Sequence, residues 1–182
     1  MPSQTVPGER VGGSGEGQVA WIGLGSNVGD RVAALARAAE RLEAAGVLIV
    51  ARSAIYRTAP VDVVDQPEFL NQVLAVRTTL HPRALLEVCL EVERSMGRIR
   101  RRDKGPREID LDLLLFGDTV LDEPGLELPH PRLHLRRFVL VPLAEIAPDL
   151  VHPGLKTTIA ALLARCPDHS PVSRLETGPK TG

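Results

Sequence analysis

The chain has 182 residues, 43% of them hydrophobic and 25% charged, the make-up of a soluble globular domain rather than a disordered or fibrous protein. Its net charge of -1 excludes a whole-molecule field that would draw it to nucleic acid or an anionic membrane, so any basic site is local. One Trp, one Tyr and three Phe cannot furnish an RNA-stacking surface, and they leave a core of Leu, Val, Ile and Ala.

Residues 1–18, rich in Gly, Ser, Pro and Glu, read as a flexible N-terminal tail, and 167–182 as a C-terminal one; the folded domain is expected over 19–166. Val19 to Leu24 reads as a buried strand. The turn Gly25-Ser26-Asn27-Val28-Gly29-Asp30 follows, where Ser26 and Asn27 are candidates to shape the turn and cap a helix. In that helix Val32, Leu35, Ala39 and Leu42 recur at helical spacing until Gly46. Val47 to about Arg57 is a second strand, ending in a loop that lasts through Pro67. Phe69 to Leu80 is a third strand. Pro82 opens a helix with Leu85, Cys89, Val92 and Met96 on one apolar face, and Gly97 closes it. Ile109 to Phe116 is a fourth strand, followed by Thr119 to Cys166 with short strands, helices and many prolines. The order is the split βαββαβ pattern of a ferredoxin-like α+β sandwich with an antiparallel sheet, extended by further short strands and helices.

Asp110 and Asp112 alternate with Leu111, Leu113 and Leu115, so on a strand both carboxylates project from one face and the leucines line the other. A solvated face accounts for such a pair; so does a site for one or two Mg²⁺ ions completed by substrate phosphates. The preceding segment holds Arg98, Arg100, Arg101, Arg102, Lys104 and Arg107, the densest basic stretch of the chain and the side-chain type suited to bidentate phosphate contacts. His130 and His134 have no evident third partner for zinc, and a phosphate or nucleotide contact is the better reading. Gly23-x-Gly25-x-x-x-Gly29 superficially matches a dinucleotide-binding loop, but no acidic residue closes the second strand. Phe69 beside Asn71 suits either the core or a flat heterocycle stacked on the ring and bonded to the amide. Cys89 and Cys166 fall in no disulfide or metal spacing, which fits a reducing cytoplasm, and no segment reads as a membrane span or signal peptide.

Five motifs in order, Gly25-Ser26-Asn27, Tyr56-Arg57-Thr58-Ala59-Pro60, Asp65-Gln66-Pro67-x-Phe69-Leu70-Asn71, Gly105-Pro106-Arg107-x-Ile109-Asp110-Leu111-Asp112, and Pro129-His130-Pro131 through Arg136-Arg137-Phe138, resemble the 6-hydroxymethyl-7,8-dihydropterin pyrophosphokinases of folate biosynthesis. The resemblance implies transfer of pyrophosphate from ATP to the pterin hydroxymethyl group with release of AMP. It implies Asp110 and Asp112 as ligands of two Mg²⁺ ions, with Arg98 and Arg107 as catalytic phosphate-neutralising residues. Leu86, Arg98, Arg100, Arg107, Leu113, His130 and Arg136 would bind ATP. Thr58, Ala59, Pro60, Val61, Phe69, Asn71 and Phe138 would bind the pterin, while Glu93 matches a helix acid near the site without a fixed role. Many members carry Pro at the position of Ala59 and an aromatic residue at that of Lys104, which cannot pack over bound ATP equally. The expected partners are these two small molecules, with no nucleic acid and no membrane, and the expected state is a cytoplasmic monomer. An RNA-gripping ferredoxin-like module and a nicotinamide-dependent reductase are the competing readings.

Overall fold

The computed structural model describes residues 17–59, 65–97 and 108–176. β1 (Gln18–Ser26) lies at the centre of an antiparallel sheet because Ala20, Ile22 and Leu24 face one hydrophobic cluster and Trp21 packs against a second on the opposite face. Three further strands share the next edge: β2 (Leu48–Arg52) and β3 (Tyr56–Thr58) lie one after the other along β4 (Phe69–Thr78), which pairs with β1. On the other side of β1 runs β5 (Asp110–Phe116). Taking β2 and β3 together, the order β5, β1, β4, β2/β3 is that of the expected ferredoxin-like sandwich.

The single strand expected over Val47 to Arg57 is two strands, and Ser53 is the reason. Its N–H donates to the Val73 carbonyl at 2.9 Å, while its Oγ accepts the Val73 N–H at 2.9 Å. A side chain thus stands where a ladder carbonyl would, and the chain steps aside before β3 resumes pairing.

α1 (Arg31–Ala44) and α2 (Pro82–Ser95) cover one face through Ala34, Leu35, Ala38, Leu42, Leu85, Cys89 and Val92. Neither Ser26 nor Asn27 caps α1; Asp30 does, its carboxylate accepting the Ala33 N–H at 3.1 Å, an interaction worth about 1 kcal/mol. After β5 come a hairpin of β6 (Leu121–Glu123) and β7 (Leu126–Leu128), a cis Leu128-Pro129 bond and a short turn of 3₁₀ helix at Leu133–Leu135. α3 (Arg137–Ile146), the pair β8 (Val151–His152) and β9 (Thr157–Thr158), and α4 (Ile159–Ala164) then cover the second face with Leu140, Leu143, Ile159 and Leu162.

Two further expectations need correction. Leu115 does not share a face with Leu111 and Leu113. The β1–β5 register shifts between Trp21 and Ile22, so Leu113 lies opposite Ile22 and Leu115 opposite Trp21, with Leu114 as the extra residue of a bulge. Leu111 and Leu113 pack under α1 and α2, whereas Leu114 and Leu115 pack under α3. Nor is the segment from 167 a tail over its first part: β10 (Val172–Arg174) pairs antiparallel with β3, and the Leu175 N–H bonds the Ile55 carbonyl at 2.8 Å. Its polar side chains match an edge strand, which needs an alternating apolar pattern on neither face.

Candidate active site

Strand pairing carries one row of residues across the sheet. Tyr56 lies opposite Asn71, Asn71 opposite Gly25, and Gly25 opposite Asp110, all on the same face. One step along, Gly23 lies opposite Asp112. Each carboxylate of β5 therefore has a glycine beside it on β1, and the gap between Asn71 and Asp110 spans about 10 Å, two strand spacings. A Cβ on Gly25 would stand 3.1 Å from Asn71 Oδ1 and 3.8 Å from Phe69 Cδ1, so the missing side chain leaves a floor beneath the amide and the ring. Gly23 and Gly25 lie inside a strand rather than in a phosphate-wrapping loop, which removes the structural basis of the dinucleotide reading.

At one end of the row, Asn71 is 7% exposed and its Nδ2 donates to Thr58 Oγ1 at 2.7 Å, which fixes the amide and leaves Oδ1 turned toward the floor. Arg31 reaches the Glu68 carbonyl at 2.6 Å, and Asn27 bonds the Gln66 side chain at 3.1 Å, so the segment ahead of Phe69 is held to the start of α1. Phe138 lies in the first turn of α3, with the Arg136 guanidinium 5.6 Å above its ring. Ala59 is exposed at the end of β3.

At the other end, a cleft of about 430 Å³ opens between α2, β5 and the β6–β7 hairpin, and it gathers Leu86, Leu113, Glu93, Asp110, Asp112 and His130. Glu93 is 2% exposed, yet it sits on the apolar stripe of α2 four residues after Cys89. Its Oε1 accepts the Leu111 N–H at 2.8 Å, so it grips the β5 backbone midway between the two aspartates. A lone acid on that stripe was the sequence signal for it. Burial, with Glu93 and Asp112 adding to it, pushes the Cys89 thiol up to about 12, so this cysteine packs and does not react.

His130 is fixed by its backbone, whose N–H donates to the Leu114 carbonyl at 2.8 Å, and by its ring, whose Nδ1 accepts the Arg132 N–H at 3.2 Å. Burial, reinforced by Arg136 and Arg132 against the pull of Asp110, brings its pKa down to about 4. The ring is neutral at pH 7 with its proton on Nε2, a donor available to the cleft.

The structure thus brings Leu86, Leu113, His130, Asp110 and Asp112 to one cleft at the β5 edge, and sets Thr58, Phe69 and Asn71 on the sheet face that Asp110 and Asp112 share. Arg136 is turned onto Phe138 and does not line the cleft. Pro60, Val61, Arg98, Arg100, Arg101, Arg102, Lys104 and Arg107 lie outside the described residues. Among the described residues no three His, Cys, Asp or Glu side chains converge as a closed metal cage. A pair of carboxylates on one strand face is instead what Mg²⁺ accepts when phosphates complete its shell.

Residues 21–148 match the family model described as 7,8-dihydro-6-hydroxymethylpterin-pyrophosphokinase (HPPK). A 2-amino-4-hydroxy-6-hydroxymethyldihydropteridine pyrophosphokinase of Methylorubrum extorquens is 50% identical over 158 residues, 86% of this chain and 98% of that relative. The protein of the same name from Bacillus subtilis is 45% identical over 129 residues, 70% of this chain and 77% of its own. A crystal structure of HPPK-DHPS in complex with substrates superposes with a TM-score of 0.69 at 14% identity, covering 83% of this chain and 43% of that longer one, a likeness of fold.

Proposed function

The chain belongs to the 7,8-dihydro-6-hydroxymethylpterin-pyrophosphokinase family and is a pyrophosphokinase of folate biosynthesis; from that premise we propose that the row across the sheet divides the reaction, with the pterin at the Asn71 end and the nucleotide at the Asp110 end. ATP gives its pyrophosphoryl group to the hydroxymethyl oxygen of the pterin, and AMP leaves. The observation that carries the division is the pairing Asn71, Gly25, Asp110, which sets a rigid amide and a carboxylate on one face across a bare glycine.

At the pterin end, Asn71 Oδ1 accepts from the amino edge of the heterocycle, its Nδ2 being held by Thr58. The backbone of Thr58 and Ala59 meets the same edge, continued by Pro60 and Val61. Phe69 and Phe138 supply the aromatic faces on which the flat ring stacks. At the nucleotide end, Leu86 and Leu113 give the adenine an apolar wall. His130, its Nδ1 held by the Arg132 N–H, donates a hydrogen bond from Nε2 to a phosphate oxygen. Arg98, Arg100 and Arg107 neutralise the triphosphate, and Arg136, whose charge acts on His130, joins them by swinging off the Phe138 ring.

Asp110 and Asp112 would hold two Mg²⁺ ions, which when bound supply charge neutralisation of the phosphates and alignment of the attacking oxygen. The donor set fits: two hard oxygen groups on one strand face, with glycine rather than bulk opposite each. The chain's own part is to hold those carboxylates in register, which the Glu93 grip on Leu111 does. Asp112→Ala is expected to abolish nearly all turnover while the thermal melt stays within a few degrees of the wild type. A variant with near-normal rate would refute the metal assignment. Reaction in the cytoplasm by a monomer completes the proposal.

A further inference from the structure

α3 begins at Arg137 without a cap of its own. The preceding residue, Arg136, makes no capping bond through its side chain, and the first turn carries no acid. The acceptor comes from far along the chain: Asp168 Oδ2 takes the Arg137 N–H at 3.1 Å, while its Oδ1 takes the Ser170 N–H at 2.9 Å. A carboxylate at a helix N-terminus both satisfies an orphan donor and meets the positive end of the helix dipole. Burial would raise the Asp168 pKa, but the Ser170 and Arg137 hydrogen bonds override it and hold the carboxyl below its ordinary value.

The same segment then turns into β10 and pairs Val172 with Thr58, Ser173 with Arg57 and Arg174 with Tyr56. It therefore touches two elements that carry pterin-site residues. One is the N-terminus of α3, one residue before Phe138. The other is β3, whose Thr58 hydroxyl fixes the Asn71 amide. At the opposite end of α3, Glu145 accepts the Ala54 N–H at 3.0 Å and the Tyr56 hydroxyl, so α3 is tied to the β3 side there as well. Without Asp168 the Phe138 end of the helix has no such tie among the bonds described.

We propose that residues 167–176 form a strap that sets the spacing between Phe138 and the Thr58–Asn71 edge, with Asp168 as a positioning residue for pterin binding. This rests on the placement of the pterin given above. Asp168 touches neither substrate, so its effect appears in the binding of one substrate and not of the other. The ATP cleft is built from α2, β5, the β6–β7 hairpin and the turn at His130, none of which the strap bonds; of the residues given to ATP only Arg136 adjoins it, and its guanidinium lies over the Phe138 ring.

The test is steady-state kinetics of Asp168→Ala, Asp168→Asn and, in parallel, Phe138→Ala, in the full chain, with both substrates varied. Asp168→Ala is expected to raise the pterin KM about fivefold, the equivalent of one lost helix cap, with the ATP KM changed less than about twofold. Asp168→Asn keeps an oxygen acceptor and is expected to recover most of that loss; it also serves if the Ala variant fails to fold. Amide exchange at Arg137 should quicken in Asp168→Ala and stay slow in Asp168→Asn. Equal changes in both KM values, or none, while Phe138→Ala does raise the pterin KM, would overturn the strap and leave the pterin site standing. If Phe138→Ala leaves the pterin KM unchanged, the placement of the pterin falls and the strap with it.

Discussion

Removing the Glu93 carboxylate tests how the metal-facing strand is kept in place. Glu93 is 2% exposed, and Leu111 at 4% exposure has its N–H bonded to Glu93 Oε1 at 2.8 Å. In Glu93→Ala that buried donor loses its acceptor, a cost of about 1 to 3 kcal/mol, and the missing methylenes leave a small void beside Cys89. A total near 3 kcal/mol lowers the melting temperature by about 6 to 12 °C in a domain of this size. Glu93→Gln keeps the shape and an amide oxygen for Leu111, so about 1 kcal/mol and 2 to 4 °C are expected. Turnover should follow the same order: roughly a hundredfold loss for the Ala variant, because Asp110 and Asp112 flank the loosened backbone, and about tenfold or less for Gln. Circular dichroism melts and rates at saturating substrate and Mg²⁺ read both. An Ala variant that melts within about 2 °C of the wild type would show that the bond carries none of the strand's placement.

Gly25→Ala puts a methyl 3.1 Å from Asn71 Oδ1, so the amide must shift by a few tenths of an ångström; a rise of about tenfold in pterin KM is expected with an ATP KM near normal, and an unchanged pterin KM would sink the floor assignment. His152, whose Nδ1 accepts the Gly154 and Leu155 N–H groups at 3.2 and 2.9 Å, has its pKa lowered by burial and by His134. Its contribution is fully present above the ordinary histidine value and is lost as pH falls below it, because the unfolded chain takes up the proton first. The melting temperature should therefore drop between pH 7 and pH 5, and drop less in His152→Asn, where an amide oxygen can still accept those donors; parallel slopes would contradict this.

Much of the site was legible because its residues break the local pattern that surrounds them. Asp110 and Asp112 stand out in an apolar strand, and Pro82 with Leu85, Cys89 and Val92 marks α2 and its buried face. What escaped depends on pairing that only the fold creates. The leucines after Asp112 read as one alternating face, but the bulge at Leu114 moves Leu115 to the other cluster. Ser53 looks like any polar residue in a β-branched run until its hydroxyl replaces a ladder carbonyl of β4's partner. Gly25 reads as turn material, and only its partners on two sides reveal it as the floor between Asn71 and Asp110. Asp168 and β10 sit in a polar, proline-flanked segment with no periodicity, and their order comes entirely from α3 and β3.

Phosphorus NMR of the protein with ATP, Mg²⁺ and 6-hydroxymethyl-7,8-dihydropterin tests the reaction most directly. Growth of AMP together with two coupled resonances of a pterin diphosphate ester is expected, and it should vanish in Asp112→Ala. Formation of ADP with a pterin monophosphate, or no turnover by the folded protein, would contradict pyrophosphoryl transfer at this site.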